Sequence, residues 1–322
     1  MRMRAGFIIL CLITSVALSA DALPWAWKWT AAELRQIDQA AKKIQKEGRA
    51  EGGFWETKLS NGITIRTVQS PEFTAELAQY LAIFCRVIKD VLPLSLNIED
   101  MSNLSVHVFD SRDQYIIATP EAPEWSRGLF VYGYCDCTGR TCAKTIKPSI
   151  HCYTDPKSGL ESVRTVIQHE LTHAFVYEHF KRFKRQIPII INEGLAEYMG
   201  SWNIRASKPT PQERAARTKR GAHAKYILDQ ANSKTPPDIM EALAMTAEEF
   251  REKREYGLAE SFVDFMQEVQ LRRILFGTIM KRIETGETVL LTAAELKKIE
   301  PQWRTYFIDA AKNLERASLR IK

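Results

Sequence analysis

His169-Glu170-Leu171-Thr172-His173, followed by Asn192-Glu193-Gly194-Leu195-Ala196-Glu197, is the stretch that decides how this chain is read. Residues four apart on an α-helix lie about 40° apart around its axis, so His169 and His173 share a face and can share one zinc ion at about 2.0–2.1 Å. Glu170 sits beside that face, off the metal axis. From there its carboxylate can take a proton from a zinc-bound water whose pKa has fallen toward about 7, the role of a general base. A buried helix is expected, because Val163, Val166, Ile167, Leu171, Ala174 and Phe175 are apolar at helical spacing and neither Gly nor Pro interrupts 160–180.

Pro188 predicts the first turn of a second helix, on which Glu193 and Glu197 share a face. Glu193 then completes a His-His-Glu ligand set. Glu197, one turn later, is placed to accept the N–H of a ligand histidine and fix its ring. A fourth position stays open for water, as a catalytic zinc requires. His179 is a competing third ligand, ten residues after His169 as in the metzincin pattern, but Val176 stands where that pattern needs a turn-forming Gly. If the helix continues, His179 faces away from His173.

The two motifs together resemble the gluzincin metallopeptidases, the thermolysin-like or peptidase-MA-like group, across Leu160–Met199 and more loosely across Ser105–Tyr115 and Tyr256–Met266. The resemblance implies a thermolysin-like two-lobed α+β fold with His169, His173 and Glu193 on one catalytic Zn2+. It further implies Glu170 as base and proton shuttle, Glu197 behind the ligands, and a tyrosine or histidine that stabilises the oxyanion. Tyr256 resembles the tyrosine that opens a comparable helix in the aminopeptidase branch, with His223 as the weaker candidate. The Gly-x-Met-x-Asn segment of that branch is missing, so exopeptidase specificity does not carry over. At the place of that edge strand the chain reads Ser149-Ile150-His151-Cys152-Tyr153, which could pair with an extended peptide by strand addition.

The N-terminus reads as a secretory signal over residues 1–20. Arg2 and Arg4 precede an apolar stretch from Phe7 to Leu18, and cleavage fits after Ala20 or Ala22. That stretch is too short for a stable membrane span. Its removal lowers the formal charge from +6 to +4, mild for 322 residues, and no aromatic-interleaved basic motif calls for a nucleic-acid partner. In an exported chain, Cys135, Cys137, Cys142 and Cys152 suggest two disulfides of open connectivity, with a structural zinc on the same four residues as the alternative. Cys85, in an apolar run, reads as a buried thiol.

The expected order is an α+β lobe over 23–186 carrying the zinc helix and a helical lobe over 187–322 carrying Glu193. Within it, Thr30-Ala31-Ala32-Glu33 caps a first helix, and Asn61-Gly62 turns a hairpin between 54–59 and 63–68. A helix over 72–91 and strands near 104–109 and 129–132 follow, then a cysteine loop, the edge strand and the zinc helix. Further helices are expected near 189–199, 212–232, 247–255, 260–270, 274–284 and 293–319. The functional expectation is an exported zinc metallopeptidase that acts on a peptide or protein substrate. The alternative is an exported protein that keeps the fold and only binds peptides.

Overall fold

The computed structural model describes residues 29–319 apart from 93, 97, 99–100, 124–125, 139–140, 155–158, 203, 205–237 and 254–255. The signal segment, the helix expected at 212–232 and His223 therefore lie outside the described residues. The fold mixes helices with one five-stranded sheet and a separate two-stranded ribbon. Contacts divide it into two compact units, one formed by the chain up to Ile88 together with Asn97–Ala174, the other by Lys89–Leu96 and Phe175 onward.

In the first unit, helix α1 (Ala31–Glu47) begins with the expected capping box between Thr30 and Glu33 and stops at Gly48. Strands β1 (Trp55–Lys58) and β2 (Thr64–Thr67) form the hairpin at Asn61-Gly62. Gly62 has φ +88°, and a Cβ there would lie 2.8 Å from Ser102 Cα, so both conformation and space require glycine. Helix α2 (Pro71–Val91) is followed by β3 (Ser105–Phe109) and the short helix α3 (Arg112–Ala118), which the apolar periodicity did not reveal. Strand β4 (Gly128–Val131) comes next. The cysteine loop is a ribbon of β5 (Tyr134–Thr138) and β6 (Thr141–Ile146), and β7 (Ser149–Tyr153) leads toward helix α4 (Leu160–Lys181).

The sheet order β1-β2-β3-β7-β4 corrects one expectation. Strand β7 is interior, parallel to β3 and antiparallel to β4, so Ser149–Tyr153 presents no free edge. The edge belongs to β4. Cys152 is a second correction: it is a free, fully buried thiol on β7, hydrogen-bonded to His107 O at 3.8 Å, and is not bridged. Burial pushes it well above the usual thiol range. Cys85 is the buried free thiol expected. The side chains of Cys135, Cys137 and Cys142 lie outside the described residues.

One sheet face carries Val106, Val108, Ile150 and Cys152, all with no exposure. The alternation of β-strands turns Arg66, His107 and His151 to the other face in consecutive register. There the two imidazoles lie 5.0 Å apart, flanked by Phe54 and Phe109, with Ser105 Oγ on His107 Nε2 and Thr119 Oγ1 on His151 Nδ1. Burial first, then His151 and Arg66, hold His107 down to about 3. Burial lowers His151 to about 4.

The second unit is helical: α5 (Ile189–Gly200), α6 (Ile239–Ala244), α7 (Ala247–Lys253), α8 (Tyr256–Glu268), α9 (Gln270–Thr285) and α10 (Ala293–Leu319). Phe262 of α8 meets Phe276 of α9 and Trp303 of α10 edge-on. No described helix is long and apolar enough to cross a membrane.

The histidine pair predicts acid lability. Both folded pKa values lie below the unfolded value of about 6.5, so the unfolded chain takes up protons first. Stability is therefore full above about pH 6.5 and falls as pH drops, by about 1.4 kcal/mol per pH unit for each proton, down to about pH 4 for His151 and about pH 3 for His107. Thermal melts across this range should show a shallower loss for His107→Phe, which keeps the packing on Phe54 without the titration. Equal slopes for variant and wild type would refute this origin.

Candidate metal centre

Helix α4 turns a polar stripe into the interior. Gln168, His169, Glu170, Thr172 and His173 are each 1% exposed or less, among apolar Val163, Val166, Ile167, Leu171 and Ala174. Tyr80 Oη of α2 donates to Gln168 Oε1 at 2.7 Å, and within the helix Thr172 Oγ1 donates to Gln168 O at 2.7 Å. One helical turn apart, His169 and His173 bring their Nε2 atoms to 3.0 Å, with ring centroids 4.7 Å apart.

Helix α5 starts immediately after Pro188, whose φ of −51° and lack of an N–H suit the position. Its run Ile189-Ile190-Ile191 and Leu195-Ala196 is buried on all sides, and Glu193 is 1% exposed. Ligand-capable atoms of His169, His173 and Glu193 all lie within 4.8 Å of one another; among the described residues no other group of three His, Cys, Asp or Glu does so. A tetrahedral ion with bonds of about 2.0–2.1 Å needs ligand atoms about 3.4 Å apart, so the three residues fit a metal ion. Their burial argues the same way, because a buried carboxylate is costly unless a cation or a proton compensates it.

Glu170 lies on α4 next to His169 and is fully buried. Its Oε2 accepts the backbone N–H of Phe130 on β4 at 2.9 Å. Glu197 lies one turn beyond Glu193 on α5 and is partly buried. Tyr256 is the first residue of α8, buried and set edge-on to Phe250 at 4.8 Å. His179 is not part of the group. Helix α4 continues through Val176 without a turn, and His179 pairs with Glu284 of α9 at 2.8 Å and with Arg182 at 2.9 Å.

Two glycines that the motif reading passed over set the packing. A Cβ on Gly194 would lie 2.3 Å from Ala259 O and 2.7 Å from Val263 Cγ2, so α5 and α8 approach as closely as backbones allow. A Cβ on Gly128 would lie 2.3 Å from Val166 Cγ1 and 3.4 Å from Glu170 Cγ. The signal for Gly128 was present in the chain: a glycine opening the apolar run Leu129-Phe130-Val131 marks a close approach of backbone.

Gly194→Ala should therefore push α8 off α5, lowering unfolding stability by about 1–3 kcal/mol and weakening metal retention through Glu193. Calorimetry with metal analysis checks both, and a variant with wild-type melting and metal content would contradict the close approach. Set against known proteins, no family model matches the chain and no curated protein matches it, so the centre is interpreted from its own residues and geometry.

Proposed function

We propose that this chain is an exported zinc-dependent metallopeptidase of the thermolysin-like, gluzincin type, hydrolysing peptide bonds in peptide or protein substrates. The observation that carries the reading is the buried Glu170 carboxylate next to a His169, His173 and Glu193 group fit for one metal ion. Imidazole and carboxylate donors suit zinc, and three protein ligands leave a position for water or substrate. A zinc ion held there supplies Lewis acidity, polarising the scissile carbonyl and making water acidic near neutral pH.

The remaining work falls to the chain's own groups. Glu170 takes the proton from the attacking water and passes it to the departing amine, a general base that becomes a general acid. Its full burial excludes competing solvent and strengthens its electrostatic effect at short range. Glu197 accepts an N–H from a ligand histidine and holds its ring in the binding tautomer. Tyr256 donates to the developing oxyanion as substrate enters. A peptide-binding protein without catalysis has no use for a carboxylate at position 170, which weighs against that alternative.

Two substitutions separate the roles. Glu170→Gln should keep about one zinc per chain while cleavage of a mixed peptide library falls by about 10²–10⁴-fold. Glu193→Ala should lose the metal and the activity together. Full cleavage by either variant refutes the mechanism, and wild-type protein that binds peptides without cutting them selects the non-catalytic alternative.

A further inference from the structure

We propose that the backbone N–H of Phe130, brought within reach by the absence of a side chain at Gly128, positions the Glu170 carboxylate; its catalytic consequence rests on the peptidase reading above. The pairing of β4 with β7 fixes where that N–H points. The register is Gly128↔Cys152, Leu129↔His151, Phe130↔Ile150 and Val131↔Ser149, and just before it Tyr153 N–H donates to Arg127 O at 3.4 Å. Bonded and non-bonded pairs alternate along antiparallel strands. With Arg127↔Tyr153 bonded, Leu129 and Val131 bond to β7. The N–H of Phe130 is turned the other way, out along the free edge of the sheet.

On an ordinary edge strand such a group is left to water. Here Phe130 and Glu170 both have no solvent exposure, and Glu170 Oε2 takes the N–H at 2.9 Å. A carboxylate held by an amide at one oxygen has its plane set, and charge-assisted bonds of this kind are among the stronger ones in proteins. A general base must lie within hydrogen-bond reach of the proton it removes, so fixing that plane is a catalytic requirement.

Gly128 determines whether the bond can form. Val166 and Glu170 are one turn apart on α4, and β4 passes their ridge at Gly128, where any Cβ would overlap Val166 Cγ1. The strand is also tied at that point: Ser126 Oγ donates to Gly128 O, and Ser126 meets Tyr115 Oη of α3 at 3.0 Å. A methyl group at 128 forces β4 away from α4 and lengthens the Phe130 to Glu170 bond. Gly128 and Phe130 are thus positioning residues, acting through Glu170.

Amide hydrogen exchange on the zinc-loaded protein tests the bond directly. Phe130 should exchange at least about tenfold faster in Glu170→Ala than in wild type, while Leu129 and Val131, bonded to β7, keep their protection. Equal Phe130 exchange in the two proteins overturns the proposal. Kinetics test the consequence with a different variant. Gly128→Ala should lower kcat about tenfold to a hundredfold with KM and zinc content held, and Gly128→Ala combined with Val166→Ala, which removes the clashing methyls, should recover most of it. An unaltered kcat in Gly128→Ala, or no recovery in the double variant, overturns the positioning role. If wild type cleaves no peptide, the peptidase reading fails, and the exchange experiment still decides whether Phe130 holds Glu170.

Discussion

Four ionisable side chains, His169, Glu170, His173 and Glu193, are withdrawn almost completely from water on two successive helices. Each buried carboxylate carries a desolvation cost of several kcal/mol unless opposite charge or hydrogen bonds compensate it. Two imidazole nitrogens 3.0 Å apart add a further demand, since only a shared proton or a shared metal ion makes that separation favourable. The surrounding sequence reflects the same demand. Helix α5 is apolar nearly all round, and on α4 the groups lie among buried Val163, Val166, Ile167, Leu171 and Ala174, so water has little access to them.

A second histidine pair in the same chain shows why this one and not the other is a metal candidate. His107 and His151 are nearly as close, with ring centroids 5.0 Å apart against 4.7 Å for His169 and His173. Each, however, already has a hydroxyl partner, and a guanidinium at Arg66 contributes to holding His107 neutral. That positive charge opposes a cation. At the inner pair the third group is the carboxylate of Glu193, which attracts one. Helical spacing brings one pair together and strand register the other, and the sign of the neighbouring charge sets the two apart.

Much of the fold is legible where the determining forces are local. The Thr30 to Glu33 capping box, the Asn61-Gly62 turn, and the apolar periodicities of α2, α4, α5 and α10 depend on residues a few positions apart, and those elements appear close to their expected bounds. The His169 and His173 pair was legible for the same reason, one helical spacing, whereas Glu193, twenty residues further on, was expected from the resemblance of the two motifs. Strand pairing was not legible. Nothing within Ser149–Tyr153 indicates that β4 covers its outer side, because that contact joins segments about twenty residues apart through backbone groups that every residue carries. Cys152 was assigned to a bridge from its proximity in sequence to three other cysteines. Its side chain instead points to the sheet face that Glu170 overlies, where burial keeps it a thiol.

The site is shaped as much by side chains that are missing as by those present, and the two absences differ in kind. At Gly194 the obstructing atom is the carbonyl oxygen of Ala259, part of a helical backbone that cannot be trimmed, so the approach of α5 to α8 is a property of the fold. At Gly128 the obstructing atom is a methyl of Val166, which another residue could remove. Position 128 is therefore coupled to position 166, whereas trimming Val263, the side chain that also crowds position 194, would leave the Ala259 oxygen in the way. The Glu193 carboxylate sits beside a constraint built into the main chain, while Glu170 is held by a strand whose distance from α4 is set by two side-chain choices. Changes at 128 and 166 can thus alter how Glu170 is held without disturbing the helix packing on which Glu193 depends.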